Sequence, residues 1–106
     1  MSVTEADIQA MTETIVRKFN PEQIMLFGSR ARGTAGPDSD VDLLVIMEAV
    51  ASPVEQAAAI RVSLPHTIPI DVIVRSSQQF KERQASGDPF FCDVAKSGRL
   101  LFERAA

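Results

Sequence analysis

Three short, largely apolar runs separated by segments with helical patterning constrain the fold of this chain more than any other feature. The runs lie at 23–27, 43–47 and 68–74. Apolar runs of this length are typical of strands that are covered on both faces. Because helices would alternate with these strands, we expect an α/β (α+β) fold with a single mixed β-sheet flanked by helices.

Cap and breaker residues mark the first two helices. Ser2 and Glu5 have capping-box spacing, and apolar side chains then recur at helical steps up to Asn20-Pro21, where proline ends the helix. Ser29 is predicted to cap one or two further turns that reach Ala35. Along the chain, these two helices precede and follow the first strand.

The rest of the chain completes the order αβαβαβααβ. The remaining predicted elements are strands at 40–47, 68–74 and 99–103 and helices at 53–63, 77–87 and 89–97. The second and third strands are joined through a helix, so they should be parallel. The second strand is apolar on both faces and should be central in the sheet.

Acidic residues stand at the start of two of these strands. Asp40 and Asp42 are alternate strand residues, which share a face about 6.6 Å apart. Asp71 lies near the start of the third strand, and parallel neighbours begin at the same end of a sheet. Antiparallel pairing of the first two strands would bring Gly28 and Ser29 to that end as well. We therefore expect three carboxylates to meet beside a helix N-terminus.

This combination of residues fits the chemistry of nucleoside triphosphates. Neighbouring carboxylates repel one another, and oxygen-binding divalent cations such as Mg²⁺ or Mn²⁺ relieve that repulsion. Two ions roughly 3.5–4 Å apart are the usual device for displacement at phosphorus. Gly28 would let a phosphate approach the backbone, and Arg30 and Arg32 could bind phosphate oxygens.

Each feature alone also has a plainer interpretation. An Asp-x-Asp pair before a strand is more often a turn, Gly-Ser after a strand is more often a helix cap, and exposed arginines are often only solvated. Asp71 is expected to be buried within its apolar run, where an ion pair with Arg75 is the alternative to a metal ion. The features are much more specific together than singly.

Length and composition narrow the class of protein. A chain of 106 residues suits one domain, 1–106, and its net charge of −3 argues against nonspecific binding of nucleic acid. The longest apolar run has five residues, Leu43 to Met47, so no membrane span is expected. One cysteine and one histidine cannot supply a disulfide or a structural zinc site. With no secretory signal visible, we expect a cytoplasmic location.

The spacing of these residues resembles a known family. Gly28-Ser29, ten residues and then Asp40-Val41-Asp42 is similar to the nucleotidyltransferase superfamily typified by DNA polymerase β. The longer string GSRARGTAGPDSDVDLLVI, the later PIDVIV and the ending SGRLLFER resemble its small prokaryotic branch, the minimal nucleotidyltransferase (MNT) domains. The resemblance covers nearly the whole chain and implies the nucleotidyltransferase fold.

The resemblance also implies roles for the residues of the motif. Asp40 and Asp42 would hold both metal ions, and Asp71 would bind the ion that activates the acceptor hydroxyl and help to take its proton. Gly28 and Ser29 would cradle the triphosphate. Arg32 would contact a phosphate, and Arg30 is assigned to the same nucleotide-binding set.

The function implied by the resemblance is transfer of a nucleoside monophosphate, AMP from ATP, to a hydroxyl. MNT domains are often paired with HEPN-domain toxins, which they adenylylate, so a HEPN-type partner and a hetero-oligomer are expected. Two alternatives stay open: an antitoxin that acts by binding alone, and a small-molecule or tRNA-end nucleotidyltransferase. The latter usually carry an extra acceptor domain, for which we expect no room in this chain.

Overall fold

The computed structural model describes residues 3–37 and 39–105. The elements follow the predicted order: α1 (Glu5–Phe19), β1 (Gln23–Phe27), α2 (Ser29–Arg32), β2 (Val41–Ile46), α3 (Pro53–Val62), β3 (Ile70–Arg75), α4 (Ser77–Ala85), α5 (Pro89–Ser97) and β4 (Arg99–Glu103). Among these residues, no helix combines the length and the apolar character that crossing a membrane would require.

The four strands form one mixed sheet in the order β3-β2-β1-β4. β1 pairs antiparallel with β2 and with β4, whereas β2 pairs parallel with β3. The predicted single mixed sheet, the parallel β2–β3 pair and the central place of β2 are therefore confirmed. β3 and β4 form the two edges.

Helices cover both faces of this sheet. Alternate side chains of β2 point to opposite faces, so Leu43 and Val45 pack into the larger core with α1 and α3, while Leu44 and Ile46 pack with α4 and α5. Asp42 is two residues before Leu44 in the strand, so its side chain lies on the same face, the one covered by α4 and α5. The core thus fixes which face carries the acidic residues.

Several predicted boundaries differ from the observed ones by one to three residues; β3, for example, covers Ile70–Arg75 rather than 68–74. The capping box of α1 is formed by Thr4 and Asp7, whose backbone N–H groups each donate to the other's side chain at 2.9 and 3.1 Å. The predicted cap at Ser2 lies outside the described residues. β2 begins at Val41, so Asp40 precedes the strand rather than opening it.

Candidate functional site

The register of the sheet sets two carboxylates side by side. Asp42 of β2 and Asp71 of β3 are direct partners in the parallel pair, so their side chains share one face. Asp42 is also the antiparallel partner of Phe27, the last residue of β1, and Gly28 follows directly. The predicted meeting of Asp42, Asp71 and the β1–α2 turn at one end of the sheet is therefore observed.

Gly28 is in contact with the Asp42 carboxylate. Its φ of +75° and ψ of −158° belong to a region that is open essentially to glycine alone. A Cβ atom at this position would overlap the Asp42 carboxylate. The missing side chain therefore lets the backbone of the turn lie directly against the acid.

Gly28 rather than Ser29 is the N-cap of α2. The N–H groups of Ala31 and Arg32 donate to the Gly28 carbonyl at 3.1 and 3.2 Å, and Ser29 is already the first helical residue. The prediction that Ser29 caps this helix is wrong, because the glycine's unusual backbone angles turn the chain one residue earlier. The helix also ends at Arg32 rather than at Ala35. Ser29 therefore does not occupy the N-cap position in the described part of the chain.

The surroundings of Asp42 raise its pKa. Partial burial is the main reason that the pKa of Asp42 is raised, followed by the negative charges of Asp71 and Asp40 and by a hydrogen bond shared with Asp71. The positive charge of Arg32 acts in the opposite direction. The pKa of Asp42 therefore responds to the charges of the other two acids.

Asp71 is exposed, contrary to the prediction that it would be buried. β3 is an edge strand and Asp71 is only its second residue, so it stands at an end of the sheet that the helices leave open. The alternative ion pair with Arg75 is not found among the described residues, where the Arg75 Nη1 group donates to the Val74 carbonyl at 2.7 Å. Asp71 is thus free to face solvent or a ligand.

Asp40 stands just outside the sheet. It is exposed, and its charge reaches Asp42 strongly enough to raise that pKa. In residues 3–37 and 39–105, no three acidic, histidine or cysteine side chains converge into a ready-made metal cage. The donors nevertheless fit a hard divalent cation, since Asp42 and Asp71 are adjacent carboxylates and Asp40 adds a third negative charge nearby.

The two arginines of the motif have different surroundings. Arg30 donates from Nε and Nη2 to the Ser39 carbonyl at 3.0 and 2.7 Å. Arg32 is half-exposed, lies in the field of Asp42 and places Nη1 at 3.7 Å from Oδ2 of Asp93. Asp93 is not predictable from the motif, because it lies far along the chain and only the fold brings it to Arg32.

The chain was compared with solved structures. A Sulfolobus solfataricus protein named as a nucleotidyltransferase has a TM-score of 0.66 and 22% identity, over 93% of this chain and 79% of that one. A toxin–antitoxin complex with AMP-PNP has a TM-score of 0.57 and 20% identity, over 91% and 73%. A mutant of the toxin–antitoxin pair MntA–HpeT has a TM-score of 0.58 and 20% identity, over 97% and 75%. At these identities the likeness establishes the fold.

The sequence itself was compared with families and with curated proteins. No curated protein matches the chain. The family model described as "Nucleotidyltransferase domain" matches residues 10–101, a span that contains the whole acidic site and the β1–α2 turn. On this match, and with the fold in agreement, the chain belongs to the nucleotidyltransferase domain family.

Proposed function

We propose that this chain transfers AMP from ATP to a hydroxyl group of a partner protein, and that it serves as the antitoxin of a toxin–antitoxin pair. The observation that carries the proposal is the contact of Gly28 with Asp42 beside Asp71. It sets a bare stretch of backbone, which a phosphate can approach, against two carboxylates that suit a divalent cation.

Each residue has a distinct role in this proposal. Asp42 and Asp71, with Asp40 beside them, hold Mg²⁺ or Mn²⁺; when bound, two such ions neutralise the carboxylates and stabilise the attacking and leaving oxygens. Asp71, exposed at the sheet edge, also orients the acceptor hydroxyl and helps to take its proton. The acceptor oxygen bonds to the α-phosphorus of ATP, the bond to the bridging oxygen breaks, and pyrophosphate leaves.

The triphosphate would lie along the β1–α2 turn. Gly28 adds no side chain to this turn, and the hydroxyl of Ser29 can donate to a phosphate oxygen. Arg32 is half-exposed and already lies in the field of Asp42, so it can add a charge-assisted bond. The predicted phosphate contact of Arg30 is not part of this proposal, because its Nε and Nη2 groups already donate to the Ser39 carbonyl.

Similarity to toxin–antitoxin proteins and the net charge of the chain support a toxin as the partner. Two of the structural neighbours are toxin–antitoxin complexes, one of them with AMP-PNP, and the sequence resembles the MNT branch that accompanies HEPN-type toxins. The net charge of −3 also suits a basic, RNA-cleaving partner in a hetero-oligomer. A cytoplasmic location belongs to the same proposal.

Co-expression with the product of the adjacent gene, followed by intact-mass measurement, tests this function. We expect an AMP adduct on the partner that disappears with Asp42→Asn and persists with Glu22→Gln, a matched change at the opposite end of the sheet. A partner that stays unmodified yet is still neutralised by Asp42→Asn would establish binding alone. Labelling of a small molecule or of tRNA instead would identify the other class of acceptor.

A further inference from the structure

We propose that Arg30 is a positioning residue, which holds Asp40 in place through the Ser39 carbonyl and is not a phosphate ligand. The inference deepens the proposed function, because it concerns how the third carboxylate of the same site is held. It starts from a difference among the acids: Asp42 and Asp71 are fixed by the ladder of the sheet, whereas Asp40 lies before β2 begins.

The backbone around Asp40 is held on both sides. On one side, the carbonyl of Ser39, which belongs to the peptide group joining it to Asp40, accepts two hydrogen bonds from Arg30, at 3.0 and 2.7 Å. On the other side, the N–H of Val41 donates to the carbonyl of Pro69 at 2.9 Å. Asp40 therefore sits between two anchored peptide groups, and Arg30 supplies one of the two anchors.

The loop that carries Asp40 has its own local turn. The Ser39 N–H donates to the Gly36 carbonyl at 3.2 Å, and the Ser39 hydroxyl accepts from the Gly36 N–H at 2.9 Å. These bonds shape the turn but do not attach it to the sheet or to a helix. Within the described chain, the two Arg30 hydrogen bonds connect the turn to α2, next to the proposed triphosphate site.

The side-chain chemistry explains why an arginine suits this position. Its planar guanidinium presents two N–H groups in a fixed fork toward one carbonyl oxygen, whereas a lysine ammonium is a compact charge on a flexible stem. A lysine at position 30 would keep the charge near the phosphates and lose the fork. The Arg30→Lys substitution therefore separates the positioning role from a phosphate contact.

The test measures metal binding and nucleotide binding separately. Thermal shifts are recorded with Mn²⁺ and a non-hydrolysable ATP analogue for Arg30→Lys, Arg30→Ala and Asp40→Asn. We expect both Arg30 variants to raise the half-saturating Mn²⁺ concentration about tenfold, the scale of losses when a residue supporting a metal ligand is removed. Affinity for the analogue at saturating Mn²⁺ should change little. Arg104→Lys is the matched control, because Arg104 also donates to a backbone carbonyl, that of Asn20, at the opposite end of the sheet.

A double substitution tests whether Arg30 acts through Asp40. In the Asp40→Asn background, Arg30→Lys should raise the Mn²⁺ requirement no further, since residues that act through one another are not additive. Amide exchange in the metal-free protein gives a reading that needs no ligand: Arg30→Lys should speed exchange at the Ser39 amide and leave the β1–β2 ladder protected. Uniformly faster exchange, or additive effects with Asp40→Asn, would overturn the inference.

The remaining outcomes separate this inference from the proposed function. If Arg30→Lys behaves as wild type while Arg30→Ala weakens the analogue at saturating Mn²⁺, Arg30 is a phosphate contact and the inference fails alone. If the wild-type chain shows no metal-dependent shift with the analogue, the proposed function and the inference fail together.

Discussion

The acidic residues at the two ends of the sheet have different neighbours. At the end where β1 begins, Glu22 lies 3.8 Å from Arg104, and Glu103 accepts a hydrogen bond of 2.6 Å from Gln23. At the end where β1 stops, Asp42 faces Asp71 instead, and their repulsion contributes to the raised pKa of Asp42. We call the end where β1 begins the compensated end, because its Glu22 is paired with Arg104, whereas Asp42 and Asp71 lie side by side at the other end.

The two arrangements differ in their effect on the free energy of folding. A surface ion pair such as that of Glu22 contributes little to stability, and its charges need no additional partner. Two adjacent carboxylates cost free energy in the folded protein, and this cost is removed when a cation binds between them. Perturbed carboxylates of this kind cluster at functional sites.

Asp71→Asn should have the largest effect, a loss of AMP transfer of roughly a thousandfold. The estimate follows because metal-ion stabilisation of the transition state is worth several kcal/mol and each ~1.4 kcal/mol is a factor of ten. Glu22→Gln at the compensated end should leave the rate within about twofold. Single-turnover labelling of the co-expressed partner measures both. Equal losses in the two variants would remove the distinction between the ends.

Gly28→Ala should be the most destabilising of the small changes. An added Cβ meets both an unfavourable φ of +75° and the Asp42 carboxylate, so we expect a loss of about 3 kcal/mol of unfolding free energy. Gly33→Ala is the matched control, because Gly33 has a φ of +76° with nothing near its would-be Cβ and should lose only about 1 kcal/mol. Urea unfolding measures the two; similar losses would mean that the contact with Asp42 costs nothing.

Patterns along the chain predict the repeating parts of this structure and miss its individual contacts. Apolar runs and the helical crossover predict that β2 is central and parallel to β3, and this places Asp42 and Asp71 at the same end of the sheet. Their direct pairing is visible only in the structure. Periodicity says nothing about where helices stop covering a sheet, so Asp71 was wrongly expected to be buried. The Arg30–Ser39 bonds lie in an irregular loop, for which no period exists.

Asp42→Asn should stabilise the metal-free protein at neutral pH. The pKa of Asp42 is raised above its ordinary value of 3.8, so the folded state binds this proton more tightly than the unfolded state does. Stability therefore falls as the pH rises from 3.8 through the raised pKa, and the deficit is fully present above it. The variant should melt a few degrees higher at pH 7 and gain nothing below about pH 3.8.

The control for this gain lies at the compensated end. Glu103→Gln removes a negative charge whose carboxylate already accepts a hydrogen bond from Gln23, so it should not raise the melting temperature. Scanning calorimetry with a chelator, at pH 3.5 and pH 7, compares the two variants. A gain for Asp42→Asn that is the same at both pH values would show that packing, not charge, is responsible.

Ser29→Ala should have the smallest effect on stability. The matched variant is Ser52→Ala, because α2 and α3 start at opposite ends of the sheet with a serine at or beside the cap. Ser29 stands at the start of α2 without capping it, so the free energy of unfolding should change by less than about 0.5 kcal/mol. Ser52 caps α3 after β2 has reached the opposite end, and its hydroxyl accepts from the Glu55 N–H at 3.1 Å. Ser52→Ala should therefore cost about 1 kcal/mol.

The two variants should rank the other way in their affinity for the ATP analogue. Only Ser29→Ala should lower that affinity, because the proposed function assigns the Ser29 hydroxyl to a phosphate. Urea unfolding and analogue titration on both variants decide the point: a cap-sized stability loss at Ser29 with unchanged analogue affinity would make Ser29 a structural residue.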